Sequence, residues 1–395
     1  MKAIAGAAIL AATFVAASTG GAKDALPRCA WTAPRAGPSG LPSTVSLETR
    51  CADFHLRPDG SLRPSGHGIL YDEAPRSSIR FADGSWWTVV GGRLAAHHGA
   101  DRVWRSSRLY PRLFDVQAAV VRPGAVAFTY RSRLYVAAGG DRTAERPVAR
   151  DERPLGWSRD GLLFTSRGGQ VRLRTANGAF IAVVEPRARS IRFDPATETV
   201  LMLARYGRVE RFDGRHTTEL ADLWRLGMPI TAWIEPLAGG LIGLSTERRV
   251  AILRSDGSFF ASARFPPGRR WNAAGNSGLV AGSDGRAVAL TLTEGNTGYA
   301  SRGAEWLLLL RVGDRVPRVL HRERLRFAVC ERWVSLAWRD DWLLYSSTEG
   351  RTLAFDTRRS RVVDLSRLVA RLPGGRPDGQ GKVELEARWS VASFR

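Results

Sequence analysis

The feature that most limits what this chain can fold into is a repeat of short strand pairs, with a period of about 40 residues. From residue 78 onward, short apolar stretches alternate with turns rich in glycine, aspartate and asparagine, and no long segment keeps the 3.6-residue period of a helix. Seven anchor positions mark the second strand of each unit: Trp86, Ala125, Leu162, Thr199, Leu241, Ala287 and Trp342. Their spacings are 39, 37, 37, 42, 46 and 55 residues. Because four-stranded blades of about 40 residues are typical of β-propellers, the sequence predicts an all-β propeller of seven four-stranded blades.

Turn residues support this division of the chain. Asn177-Gly178 and Asp256-Gly257 occupy the same place in two units, and such pairs favour a tight type I′ turn with positive φ at both central positions. A polar insert at residues 293–304 accounts for the longest spacing. We expect short helices at residues 218–226 and 365–372, and a terminal strand at residues 383–391 that closes the ring.

One turn carries a resemblance to a known class of repeat. Trp157-Ser158-Arg159-Asp160-Gly161, followed by Leu162, resembles the repeat of TolB-like, WD-type β-propellers. In those proteins a Trp-Ser-x-Asp-Gly turn joins the two inner strands of a blade, so the resemblance implies the same role here. It leaves function open, because propellers include both binding scaffolds and enzymes.

The N-terminal region predicts export. Met1-Lys2 is followed by an apolar run and by small residues, which fit a signal peptide at residues 1–22 cleaved after Ser18 or Ala22. An uncleaved anchor is the alternative. The sequence then predicts an irregular N-terminal segment at residues 23–75 and the propeller at residues 76–395, with no membrane span after signal removal. We therefore expect a secreted or periplasmic monomer.

Three cysteines fit an exported protein. Cys29 and Cys51 can close a disulfide in the N-terminal segment, and two unpaired thiols are the alternative. Cys330 lies before a predicted strand, where we expect a buried small hydrophobe. The sequence has no cysteine or histidine spacing typical of a metal site, and it predicts no cofactor.

The chain is strongly basic, with a net charge of +21. Only Lys2, Lys23 and Lys382 are lysines among 59 basic residues, and the arginines are spread along the whole chain. A spread of this kind does not predict specific nucleic-acid binding, for which basic residues cluster on one element. The charge should still attract polyanions in a salt-dependent way.

One set of arginines forms a pattern. The turn between the second and third strands of every unit carries an arginine: Arg93, Arg133, Arg167, Arg205, Arg249, Arg302 and Arg351. In a propeller these turns share one face with the connections between blades. The seven side chains could form a basic rim that binds carboxylate or phosphate groups through forked hydrogen bonds. Solvated turn residues paired with neighbouring acids such as Glu247, Glu305 and Glu349 are the alternative.

No catalytic motif is evident, and the Gly-x-Ser-x-Gly elbow of a serine hydrolase is missing from the sequence. Trp224 and Trp271 lie in predicted connections, where they could stack on sugars or pack in the core. The sequence therefore favours a non-catalytic propeller that binds a protein or an anionic cell-surface polymer through its loop face. The alternative is a propeller-fold glycosidase or polysaccharide lyase, which would need paired carboxylates or a His/Tyr/Arg group at the channel mouth.

Overall fold

The structure is a computed structural model of the 395-residue chain. It describes residues 36–41, 45–48, 52–67, 78–80, 85–98, 101–110, 112–140, 143–185, 187–229, 232–246, 248–265, 271–272, 279–294, 303–325, 335–347 and 351–372.

The described chain forms eight antiparallel sheets, each built from strands that follow one another in sequence. The N-terminal sheet contains β1 Val45–Glu48, β2 Ala52–Leu56 and β3 Leu62–His67. Sheet 1 contains β4 Ser78–Arg80, β5 Trp86–Val90, β6 Arg93–His98 and β7 Asp101–Arg105. Sheet 2 contains β8 Val116–Arg122, β9 Ala125–Tyr130, β10 Arg133–Ala138 and β11 Arg146–Arg150. Sheet 3 contains β12 Arg153–Trp157, β13 Leu163–Arg167, β14 Gln170–Arg174 and β15 Phe180–Glu185.

The remaining four sheets follow the same plan. Sheet 4 contains β16 Ala188–Asp194, β17 Thr199–Ala204, β18 Arg208–Phe212 and β19 Thr217–Asp222. Sheet 5 contains β20 Trp233–Leu237, β21 Leu241–Ser245, β22 Arg249–Arg254 and β23 Phe259–Arg264. Sheet 6 contains β24 Trp271–Asn272 and β25 Leu279–Ala281, which both pair with β26 Ala287–Glu294, and then β27 Gly303–Arg311 and β28 Arg318–Leu325. Sheet 7 contains β29 Ser335–Arg339, β30 Trp342–Ser346, β31 Thr352–Asp356 and β32 Arg361–Asp364, and the helix α1 Ser366–Arg371 follows it.

The seven anchors lie where the repeat predicts. Six of them fall within the second strand of sheets 1–7, and Leu162 directly precedes it. Most of these strands are buried on both faces, as the fully buried β9 and β17 show, and β5 is less so, with Val90 59% exposed. A strand that packs against a neighbouring sheet on each side needs an almost continuous apolar sequence, which is why the second strands gave the clearest signal.

Neighbouring sheets pack face to face in sequence order. Between sheets 1 and 2, the rings of Trp87, Trp104 and Phe128 meet at centroid distances of 5.3–5.8 Å. Separate apolar clusters join each later pair up to sheets 6 and 7, and first strands of neighbouring sheets contact one another. Four-stranded meanders that pack in series around their first strands define a β-propeller, so the predicted all-β propeller is confirmed. The count of seven blades stays a prediction, because the described residues form eight sheets.

The N-terminal sheet continues this series beyond sheet 7. Phe54 and Leu56 are 0% exposed and pack in one cluster with Leu344, Leu365 and Leu368 of sheet 7 and its helix. Part of the segment for which the sequence predicted an irregular structure is therefore a packed sheet. The predicted closing strand at residues 383–391 lies outside the described residues.

Two local expectations are corrected by the structure. Residues 217–222 form the outer strand β19, not part of a helix, because Arg208–Phe212 offers a free edge with which they pair from Arg208↔Asp222 to Phe212↔Thr217. This tertiary pairing outweighs a modest helix propensity. The predicted insert at residues 293–304 is shorter, since β26 and β27 remain paired as far as Glu294↔Ala304. The second predicted helix is confirmed as α1 Ser366–Arg371.

Within the described residues, no helix has the length and apolar character that a membrane crossing requires.

Candidate functional site

The turns between second and third strands lie against the connections that follow each sheet. In six sheets a backbone N–H of the connection donates to a carbonyl in or beside this turn, at 2.6–3.0 Å. The six bonds run from Tyr110 to Gly92, Asp151 to Ser132, Ala188 to Gly169, Leu223 to Gly207, Phe265 to Arg248 and Leu365 to Thr352. These turns and connections therefore share one end of the sheets, which we call the connection face. The other two turns of each sheet lie at the other end, which we call the opposite face.

Six of the seven predicted rim arginines lie at the connection face, each in a different sheet, and Arg302 lies outside the described residues. Two of the six are held by main-chain carbonyls. Arg93 donates to the carbonyls of Ser106, at 3.1 Å, and of Ser107. Arg249 donates to the carbonyl of Gly227 at 3.1 Å, and burial together with nearby Arg264 lowers its pKa. Each of these two side chains therefore links its own turn to a connection by hydrogen bonds.

Arg351 is paired with acids. Its guanidinium lies 3.5 Å from Glu323 and 3.8 Å from Asp364. Glu323 belongs to a group of titratable side chains between sheets 6 and 7, where the hydroxyl of Tyr345 donates to the carboxylate of Glu305. Burial and the charge of Glu305 raise the pKa of Tyr345 far above its ordinary value, so the phenol stays protonated. Glu305 and Tyr345 are 0% exposed, so this pair joins two sheets and is closed to solvent.

Arg133, Arg167 and Arg205 differ from these three. All are exposed, and none contacts a carboxylate in the part of the chain that the structure describes. They belong to three consecutive sheets, 2, 3 and 4. The arrangement leaves three guanidinium groups on one arc of the connection face that can bind an external anion.

The two faces differ most in their acids. In the described turns, connections and adjoining strand ends of sheets 1–7, eight exposed acidic residues lie at the opposite face and two at the connection face. The eight are Asp101, Asp160, Glu198, Asp213, Asp256, Asp284, Asp340 and Asp341, and the two are Asp151 and Asp364. Exposed arginines occur at both faces. The acids therefore make the connection face the more positive of the two.

Turn chemistry explains where these acids lie. The carboxylates of Asp213, Asp256 and Asp284 each accept a backbone N–H from two residues further on, at 2.7–3.0 Å. This short-range bond is why aspartate is favoured in tight turns. Hydrogen bonds from Ser258 also lower the pKa of Asp256, so this turn residue carries its negative charge at neutral pH.

Exposed aromatic side chains also lie at the connection face. Trp224 is 66% exposed in the connection between sheets 4 and 5. The sequence analysis predicted no role for Tyr206 and Trp233. Tyr206, in the turn between β17 and β18, is 81% exposed, and Trp233, the first residue of β20, is 63% exposed. The sequence feature that could have identified these two residues is an aromatic side chain in a predicted turn or at the start of a predicted strand. The side chain of Trp271 lies outside the described residues.

The first strands hold few acids that could serve catalysis. Among the first strands that the structure describes, the acidic residues are Asp194 and Glu235. Asp194 accepts hydrogen bonds from Ala196 and Thr197 in its own turn. Burial raises the pKa of Glu235, and the charge of Arg192 opposes this only in part. On the described first strands, Asp194 and Glu235 are thus the only carboxyl groups from which the pair that a glycosidase uses could come.

No group of three or more His, Cys, Asp or Glu side chains that could hold a metal ion occurs among the described residues. The predicted signal peptide and the predicted pair Cys29–Cys51 lie outside them.

The chain matches no family model, and no curated protein matches it in sequence. Similar solved structures include AztD from Citrobacter koseri, at 10% identity and a TM-score of 0.47, covering 81% of this chain and 92% of that one. Hsv2 from Kluyveromyces lactis is similar at 9% identity and a TM-score of 0.46, covering 72% and 95%. BamB from Moraxella catarrhalis is similar at 11% identity and a TM-score of 0.41, covering 73% and 86%. The sheets and their packing define the chain as a β-propeller, and these distant likenesses add nothing about its function.

Proposed function

We propose that this chain is an exported, non-catalytic β-propeller that binds an anionic cell-surface polymer through its connection face. The observation that carries the proposal is the unequal distribution of acids among the described residues, eight exposed at the opposite face and two at the connection face. A polyanion that approaches this molecule is attracted more strongly to one end.

Three side chains at that end are suited to the attraction. Arg133, Arg167 and Arg205 are exposed, so binding need not break an internal ion pair. A guanidinium presents a planar fork that matches carboxylate and phosphate groups, and it is more weakly hydrated than an ammonium. Each contact contributes only a small free energy of binding at an exposed site, so a polymer that contacts several arginines at once binds with the highest affinity.

The predicted signal at residues 1–22 supports a location outside the cytoplasm. Anionic wall polymers, acidic polysaccharides and lipid headgroups occur there. The alternative of a polysaccharide-cleaving enzyme has less support, because Asp194, one of the two acids on the described first strands, is hydrogen-bonded in its own turn.

The proposal is tested by measuring binding of an acidic polymer, such as polygalacturonate, over a series of salt concentrations. We expect affinity to fall steeply with added salt, because exposed charge contacts are screened. Replacing Arg133, Arg167 and Arg205 with Gln should weaken binding about tenfold, if each contact contributes about 0.5 kcal/mol.

The matched control replaces Arg159, Arg315 and Arg359, which are exposed in turns of the opposite face. It removes the same charge and should weaken binding much less. If both triple variants lose the same affinity, the attraction is only a net-charge effect and the proposal is wrong. Circular dichroism of each variant establishes that folding is unchanged.

A further inference from the structure

We infer that Tyr206, Trp224 and Trp233 form a stacking platform for the sugar rings of an acidic polysaccharide, and that Arg205, Arg225 and Arg248 bind its carboxylates. We call these six residues the aromatic platform. The inference rests on the proposed function and deepens it, because it names the class of polymer and the arc of the face that binds it.

The aromatic side chains of the platform are unusually exposed. Tyr206, Trp224 and Trp233 are 81%, 66% and 63% exposed, although large aromatic residues normally bury most of their surface. Exposed apolar surface with a polar rim marks a binding site more often than a structural one. Three such residues, on one connection and on the turn that is hydrogen-bonded to it, therefore indicate a site that a ligand covers.

Backbone hydrogen bonds bring two of these residues together. The N–H of Leu223 donates to the carbonyl of Gly207 at 2.9 Å. Tyr206 directly precedes Gly207 and Trp224 directly follows Leu223, so the two aromatic residues flank one hydrogen bond between a turn and a connection. Trp233 begins the first strand of sheet 5, at the other end of the same connection.

The described residues 223–229 of the connection that carries Trp224 are held by buried side chains and hydrogen bonds. Leu223 and Met228 are buried, and the N–H of Met228 donates to the carbonyl of Leu223 at 2.8 Å. The carboxylate of Asp222 accepts the N–H of Trp224 at 2.8 Å, and Arg249 donates to the carbonyl of Gly227. With two apolar anchors beneath it, the loop holds Trp224 outward before any ligand arrives. Binding then costs little ordering entropy.

The residues around the aromatic side chains favour a charged sugar polymer over a protein. Arg205 precedes Tyr206, Arg225 follows Trp224, and Arg248 lies in the next turn of the same face; all three are exposed. They contact no acid in the described part of the chain. Protein-binding hot spots are usually enclosed by residues that exclude water, whereas here an exposed arginine stands next to Tyr206 and next to Trp224 in the chain. A polyuronate presents both apolar sugar faces and carboxylates.

The test compares two polyanions of equal charge and similar length, polygalacturonate and polyglutamate, with the full chain at one salt concentration. Only the first has sugar rings. We expect the wild type to bind polygalacturonate at least about tenfold more tightly, because ring stacking adds to the charge contacts. Replacing Tyr206, Trp224 and Trp233 with Ala should remove this preference and leave polyglutamate binding unchanged.

The control variant replaces Phe180, Phe259 and Val316, which are 52%, 45% and 80% exposed elsewhere on the molecule, and it should keep the preference. An equal loss in both triple variants, or equal binding of the two polymers by the wild type, overturns the platform while leaving the proposed function intact. If neither polymer binds, the proposed function itself fails. Single-stranded oligothymidylate is the third probe, and tighter aromatic-dependent binding to it than to polygalacturonate assigns the site to bases and overturns the sugar assignment.

Discussion

At the scale of single residues, a buried and a half-buried carboxyl group show how local partners decide the effect of a charge. Glu152 is 0% exposed, and its carboxylate accepts hydrogen bonds from Arg174 at 2.7 and 2.9 Å and from Thr165. Burial alone would raise the pKa of Glu152, but these bonds and the charges of Arg174 and Arg172 outweigh it and lower the pKa. The half-buried Glu235 has no comparable set of donors among the described residues, and partial burial raises its pKa.

The two groups should therefore respond in opposite ways to neutralisation. Replacing Glu152 with Gln at pH 7 should destabilise the fold by about 3–5 kcal/mol, because Arg174 is left buried without its counter-charge. Replacing Glu235 with Gln should stabilise it, since ionised Glu235 pays a desolvation penalty. The urea midpoint of each variant measures the change.

The pH dependence follows from the direction of each pKa shift. A lowered pKa means that Glu152 contributes stability above its unfolded value of 4.5, and that this is lost as pH falls through the folded pKa. A raised pKa means that the cost of Glu235 begins as pH rises past its unfolded value of 4.5 and is complete above its folded value. The changes in the free energy of unfolding caused by the two Gln substitutions should therefore both become smaller at acidic pH. The exposed Glu219, paired with Arg208 at 3.7 Å, is the control, and its change to Gln should cost less than about 1 kcal/mol. Equal losses at Glu152 and Glu219 would contradict the assignment.

At the scale of elements, the N-terminal sheet shows that the packing series extends beyond the seven repeat units. Leu41, Phe54 and Leu56 pack on sheet 7 and on α1. The contact is close, since a Cβ on Gly37 would lie 2.7 Å from Leu368 and 2.9 Å from Leu56. We propose that this sheet and sheet 7 unfold as one unit.

Replacing Phe54 with Ala should lower the stability of the whole propeller by about 3–5 kcal/mol, because it leaves a cavity in this shared cluster. Thermal unfolding followed by circular dichroism should show one transition at a lower temperature. The control Phe259→Ala removes a ring that is 45% exposed and should have a smaller effect. A variant with an unchanged main transition and a separate early one would show that the N-terminal sheet is an independent unit.

At the scale of the whole molecule, the separation of charge between the two faces follows from the topology of the meander. Turns with an exposed aspartate lie mostly at the opposite face, whereas exposed arginines occur at both faces. Because every blade repeats the same order of strands and turns, the charges of these turns add up to a difference in electrostatic potential between the two faces. The proposed polymer binding depends on this sum and not on any single residue.

Export is the prediction that belongs to this scale. Cells that express the full chain should release it from the cytoplasm with residues 1–18 or 1–22 removed, because the apolar run and the small residues after it fit signal-peptidase cleavage. Fractionation followed by N-terminal sequencing measures both properties. A cytoplasmic protein that retains Met1 would rule out the proposed location, and a membrane-bound protein that retains Met1 would support the uncleaved anchor.

Much of the fold can be predicted from patterns of residues that are close together in the sequence. The anchors predicted the second strands because burial on both faces demands apolar residues there. The Trp157–Gly161 turn joins β12 to β13 as expected. In this turn the N–H of Gly161 donates to the carbonyl of Ser158 at 2.9 Å. The Asn177-Gly178 turn was placed correctly, but only Gly178 has a positive φ, of 90°. The side chain of Asn177 instead accepts a hydrogen bond from Ala179, in a wider turn than type I′.

The sequence by itself therefore determined the all-β class, the repeat and the position of most turns, because these depend on residues close together in the chain. Only the tertiary structure decided that residues 217–222 are an outer strand and that residues 45–67 pack as a sheet on sheet 7. It also separated the arginines that fasten turns, such as Arg249, from those that face solvent, such as Arg167. Strand edges, cavities and ion-pair partners come from residues distant in sequence, and only folding brings these together.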